Sequence, residues 1–198
     1  MQETKQIKIE LADPTPLGLF GLALVTLVAS SQKLGITDGL SFLLPWVIFI
    51  GATAQIIAGI MDFKHNNLFG ATAFCAYGLF WYAIALTWML KMGVFGATLA
   101  VVDVQQLGFG LIGFLILSLI ITVGALRLNT LLTVLMFFID LLFIGLAFDI
   151  FFGGHFWHQL AAISELIISI LSFYGVAAAF INKSYGRTII PLGKAWTK

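Results

Sequence analysis

The chain has 198 residues, of which 61% are hydrophobic and 10% charged, with a net charge of +1. A soluble domain carries charge on about a quarter of its residues, and a disordered chain combines low hydrophobicity with high net charge. Both classes are excluded. No basic excess invites nucleic acid and no nucleic-acid motif is present. The single cysteine, Cys75, leaves no intramolecular disulfide. The composition is that of a polytopic membrane protein.

A spanning helix consumes roughly 20 apolar residues, and the few charges divide the chain into six such runs. They cover about 17–31, 40–61, 68–90, 107–126, 128–152 and 160–181. The first is short and needs its flanks, or a thinning of the bilayer, to cross. Continuous apolar runs do not alternate as barrel strands do, so the fold class is all-α, with six transmembrane helices. Nothing is left over for a second domain, and Met1–Glu10 reads as a polar tail without a signal-peptide core. An even number of spans places both termini on one side. Lys5, Lys8, Lys64, Arg127, Lys183, Arg187, Lys194 and Lys198 fall on that side, against Lys33 and Lys91 opposite. The positive-inside rule makes that side cytoplasmic, in the cell membrane.

Polar residues inside the runs are the first candidates for function. An ionised carboxylate facing lipid costs about 2.5–3.5 kcal/mol, so Asp140 and Glu165 should face protein or water, or be protonated. Asp140 shares a stripe with Asn129 and Thr133, and Glu165 with Ser169 and Ser172. Each carboxylate reads as helix–helix bonding, a subunit interface, or a proton or ion relay. Gln55, on a stripe with Gly51, Gly59 and Asp62, offers donors and an acceptor to a small carboxylate or neutral solute, or to another helix. Gly18, Leu22, Thr26 and Ser30 recur at every fourth position of the first run, as a pore wall or a close helix contact requires. Gly108, Gly110 and Gly113 read as packing glycines, and Trp46, Trp88, Trp157 and Trp196 as interfacial anchors. His155 and His158 beside Asp149 do not make a convincing metal set, and no cofactor is expected. Asp140 and Asp149, nine residues apart, fall on opposite helix faces, and no nucleophile motif is present. Enzymatic activity is therefore not expected.

Ahead of the first span stands Asp13-Pro14-Thr15-Pro16-Leu17-Gly18-Leu19. It resembles the Asn-Pro-Ala-Pro-Leu-Gly-Leu signature of the acetate uptake transporter family, the succinate–acetate permeases. The resemblance continues through Gly51–Gly59, Phe69–Trp81 and Tyr185–Gly193, in the family's order. It implies a homohexamer with one solute path per protomer, carrying acetate and other monocarboxylates, and in some cases succinate or other short carboxylates, by proton symport or as an anion channel. It also implies a pore constriction at Leu22, Tyr77 and Ile139, with leucine where a phenylalanine is familiar. Asp13 replaces the signature asparagine and reads as a cap on the helix that Pro14 and Pro16 introduce. The expected path passes a mouth near Asp13, Asn67 and Thr72, then the constriction, then polar contacts at Gln55 and Thr26. No cation lies within a run, so passage of the protonated acid is favoured. A channel for ammonia or urea is the alternative.

Overall fold

A computed structural model describes residues 11–197. Lys5, Lys8 and Lys198, which contribute to the charge asymmetry, lie outside the described residues. Among the described residues six helices are long and apolar enough to cross a membrane: α1 (Thr15–Lys33), α2 (Leu43–Lys64), α3 (Leu68–Lys91), α4 (Val104–Ala125), α5 (Thr130–Phe152) and α6 (His155–Tyr185). They pack as a ring in chain order, closed by an extensive α1–α6 interface, while α3 and α4 touch only sparsely.

The helix ends follow local chemistry more than hydropathy. At the start of α1 the Asp13 carboxylate accepts the Thr15 N–H at 2.9 Å, and Pro16 occupies the first turn. The helix thus begins ahead of the apolar run and reaches 19 residues. Asn67 caps α3 by accepting the Gly70 N–H at 3.2 Å, and Asn66 makes the tight turn before it at φ 57°, a conformation asparagine tolerates. Asn129 caps α5 in the same way. The sixth helix is longer than its apolar run. It extends over 31 residues, from the Gly153–Gly154 turn, where both φ values are positive, to Gly186 in the left-handed conformation. His158 and Gln159 interrupt the hydropathy without interrupting the helix.

Two local features shape the interior. Trp46–Ala52 of α2 winds as a wide π-type turn. The Ile48 carbonyl there accepts the Thr53 hydroxyl at 2.8 Å, a kind of irregularity that recurs at functional sites. The segment after α6 folds back over the α4–α5 turn. Leu192 O accepts from Leu131 N, and Leu126 O accepts from Trp196 N. Trp196 also donates its indole N–H to the Thr130 hydroxyl at 3.2 Å. Close helix approach depends on small residues. A methyl group on Gly18 would meet the Phe74 ring at 2.6 Å, and one on Gly108 would meet Phe151 at 2.6 Å. Gly110 and Gly113, expected to pack, instead have nothing within 4 Å and face outward.

Candidate functional site

Three cavities lie in line between the helices. The first, of about 30 Å³, is lined by Leu19, Leu22, Gln55, Phe74, Tyr77 and Ile139 among others, toward the end of the bundle where α1 and α3 begin. The second, of about 20 Å³, shares Leu22, Tyr77 and Ile139 with the first and adds Thr26, Phe80, Trp81, Leu142, Phe143 and Ile168. The third, of about 120 Å³, shares Phe80, Trp81 and Leu142 with the second and reaches Trp88, Asp149, Lys33 and Glu165 at the opposite end. The odd-numbered helices supply the wall from end to end, at the three- and four-residue spacing of one helix face. Along α1 the series is Leu19, Leu22, Thr26 and Lys33; along α3 it is Phe74, Tyr77, Trp81 and Trp88.

Two apolar partitions therefore divide the column. Leu22, Tyr77 and Ile139 come together at the first, all buried. The second is aromatic: Phe80 meets Phe143 edge-on at 5.2 Å and Trp81 at 5.3 Å. The two smaller chambers hold no more than a water or two, so a solute crossing them sheds its hydration shell.

Tyr77 is held from behind. Its hydroxyl donates to Ser118 Oγ at 3.1 Å, Ser118 donates to Asp140 Oδ1 at 2.5 Å, and Thr122 donates to Asp140 Oδ2 at 2.8 Å. Asp140 thus joins α5 to α4 and stands behind the tyrosine. It does not belong to the lining of the three cavities. Its helical companions Thr133 and Asn129 bond backbone at the α4–α5 turn.

Gln55 is fully buried in the wall of the first chamber. Its amide nitrogen donates to Gly51 O at 2.7 Å, which leaves its carbonyl oxygen unpartnered. Thr26 lines the second chamber, but its hydroxyl hydrogen is committed to its own helix, with Leu22 O at 2.7 Å. Asn67 spends both polar atoms locally, capping α3 and donating to Asp62 Oδ1 at 3.0 Å. Pro14 accepts the first backbone bonds of α1 through its carbonyl, and Leu17 faces outward.

Two expectations are corrected. Thr72 does not stand at the mouth of the column. It lines an outer groove between α3 and α4 with Phe69, Ile120 and Ile121, because the inward face of α3 runs through Ala73 and Tyr77, about 100° per residue away. The second correction concerns charge. Lys33, read from sequence as a loop residue, is the last residue of α1 and folds back into the bundle. Its Nζ lies 2.8 Å from Glu165 Oε2, with Lys33 only 14% exposed and Glu165 1%. A cation does line the path. His158 braces this end, with Nδ1 3.2 Å from Asp149 Oδ2 and Nε2 3.0 Å from the Lys33 carbonyl oxygen.

The sequence model of the GPR1/FUN34/yaaH family matches residues 2–193. The chain belongs to this family. Among its relatives, the "Succinate-acetate/proton symporter SatP" of Escherichia coli K12 is 32% identical over 187 residues, spanning 94% of this chain and 97% of that one. "Ammonia transport outward protein 2" of Saccharomyces cerevisiae is 29% identical over 185 residues, spanning 88% of this chain and 63% of that one. A solved structure described as "Structure of the bacterial acetate channel SatP" superposes with a TM-score of 0.85 at 30% identity. It covers 93% of this chain and all of that one. This member of the GPR1/FUN34/yaaH family is thus a multi-pass protein of the cell membrane, with six membrane-spanning helices.

Sequence reasoning missed the aromatic partition of Phe80, Trp81, Leu142 and Phe143. On helices apolar all round, periodicity marks no inward face. A signal for Lys33 did exist: a lysine within a turn of a span end is long enough to reach a buried carboxylate.

Proposed function

We propose that the chain passes acetate and related short carboxylates across the cell membrane through the column between its helices, without chemical change. The reading rests above all on the line of three cavities divided by two apolar partitions. The acetate-carrying names of its relatives support it. The first partition, Leu22, Tyr77 and Ile139, is the proposed constriction. A bare carboxylate in a chamber holding a water or two loses several kcal/mol of solvation, about the penalty for one buried unpaired ion. The acid therefore crosses the partitions protonated. Gln55 fits that species, because its unpartnered carbonyl oxygen accepts the acid O–H. Asp13, Pro14, Pro16 and Gly18 set the first turn of α1, whose Leu19 and Leu22 then face the column. By the charge asymmetry of the sequence, this mouth faces the cytoplasm. A homohexamer with one path per protomer is part of the proposal. Mass determination of the purified protein in detergent tests it, and a monomer is the adverse result.

A neutral-solute reading has its own support in the water-sized chambers and in the relative named for ammonia transport. Competition separates the two. Excess unlabelled acetate should suppress labelled acetate uptake into proteoliposomes while ammonium and urea leave it unchanged. Suppression by ammonium and not by acetate would favour the neutral solute.

A further inference from the structure

The Lys33–Glu165 pair is unusual for its place. Buried ion pairs are weak stabilisers, because desolvating two charges offsets most of their attraction, and apolar residues of similar volume often serve stability as well. This pair also does not sit in solid packing. Both residues line the 120 Å³ chamber, directly beyond the partition of Phe80, Trp81 and Leu142. Lys33 Nζ has its one hydrogen-bond partner among the described residues in Glu165 Oε2, so an ammonium with three donors faces the chamber largely unspent. The charged and titratable groups facing Glu165 here are Lys33 from α1, Asp149 from α5 and His158 from its own helix, the last two bonded to each other. The chamber walls from α3 and α4 are uncharged: Trp81, Ile84, Trp88, Leu107 and Leu111.

We propose that Lys33 is a carboxylate-binding site for the transported acid, and that Glu165 is both its resident occupant and the acid's proton donor. The inference rests on the transport reading above and supplies its coupling step. With Glu165 ionised, Lys33 is taken and the chamber is closed to anions. When Glu165 takes a proton from a hydronium ion of the adjoining solution, leaving water, Lys33 is released and binds the substrate carboxylate, so one proton and one anion enter together. The net charge of the site is unchanged. The Glu165 O–H bond then breaks and its proton passes to the substrate carboxylate. Glu165 returns to Lys33 as carboxylate, and the neutral acid, having lost its ionic partner, moves across the aromatic partition. Every charge is accounted for, and no bare anion crosses an apolar ring.

The test uses full-length protein in proteoliposomes and nanodiscs, with labelled acetate and with methanesulfonate, a small methyl-bearing anion that is too weak a base to accept the proton. In the wild type, methanesulfonate should compete with acetate binding more strongly in acidic than in neutral buffer, without being transported. Glu165→Gln should bind methanesulfonate equally well at both pH values and lose proton-driven accumulation of acetate. Lys33→Met/Glu165→Gln removes both charges together, which protects the fold. It should weaken methanesulfonate binding by about tenfold or more, the loss of one charge-assisted hydrogen bond. Wild-type binding and pH dependence in that double variant, at wild-type thermal stability, would overturn the site while leaving acetate transport intact. Absence of saturable acetate binding and flux in the wild type itself would overturn the transport reading and this inference with it.

Discussion

Asp140 offers the sharpest test of how the buried carboxylates divide their work. Its two oxygens accept from Ser118 at 2.5 Å and from Thr122 at 2.8 Å, and Ser118 in turn receives the Tyr77 hydroxyl. Asp140→Asn keeps one acceptor for Ser118 and turns an amide N–H₂ toward Thr122, whose hydroxyl hydrogen already reaches Ser118 O at 3.0 Å. The network survives, and stability should change by less than about 1 kcal/mol. Asp140→Leu instead strands the Ser118 hydrogen in a buried site. An unsatisfied buried donor costs about 1–3 kcal/mol, or a fall of roughly 2–12 °C in Tm for a chain of this size. Thermal unfolding in detergent measures both variants. Acetate uptake should retain its proton dependence in Asp140→Asn, since this residue stands behind the tyrosine and outside the column. Loss of proton-driven uptake in an Asp140→Asn protein of wild-type stability would instead make Asp140 a relay.

Three further outcomes follow from the same geometry. Tyr77→Ala removes the ring shared by the two smallest chambers and should admit acids larger than acetate, measured by competition with a chain-length series; unchanged size selectivity in a folded variant would count against the gate. Gln55→Leu fills the same volume without the unpartnered acceptor, and should lower acetate uptake about fivefold, the worth of one neutral hydrogen bond, with little effect on Tm. Gly70→Ala drives a methyl group into Asp62 Oδ2 and to 2.6 Å from Asn67 Nδ2. It should destabilise by about 1–3 kcal/mol, the usual cost of overpacking, and a Tm equal to wild type would show that the α2–α3 turn yields more easily than its packing implies.

The spans were legible because a bilayer imposes one simple rule on composition, and the Asp13 bond at the start of α1 because such turns are local chemistry, whereas the capping role of Asn67 was not read from sequence. Helix ends were less so: hydropathy stops α6 at His158 and Gln159, whereas backbone geometry carries it back to Gly154. Leu22, Tyr77 and Ile139 do meet, and the signal came from resemblance, since α3 carries no polar inward stripe and the polar stripe of α5, through Asp140, turns to α4 and not to the column. The same uniformity hid the Phe80–Trp81–Leu142 partition and misplaced Thr72 by one residue's rotation. Lys33 escaped for a different reason. Its partner is 132 residues away, and a charge closing an apolar run reads as a loop unless the carboxylate waiting for it is already located.

Labelled acetate uptake into proteoliposomes, with imposed pH gradients of either sign and protein-free liposomes alongside, tests the account most directly, because acetic acid also crosses bare lipid. The account predicts saturable, protein-dependent flux that accumulates acetate toward the side to which protons flow. Flux no greater than that of the bare liposomes would contradict it.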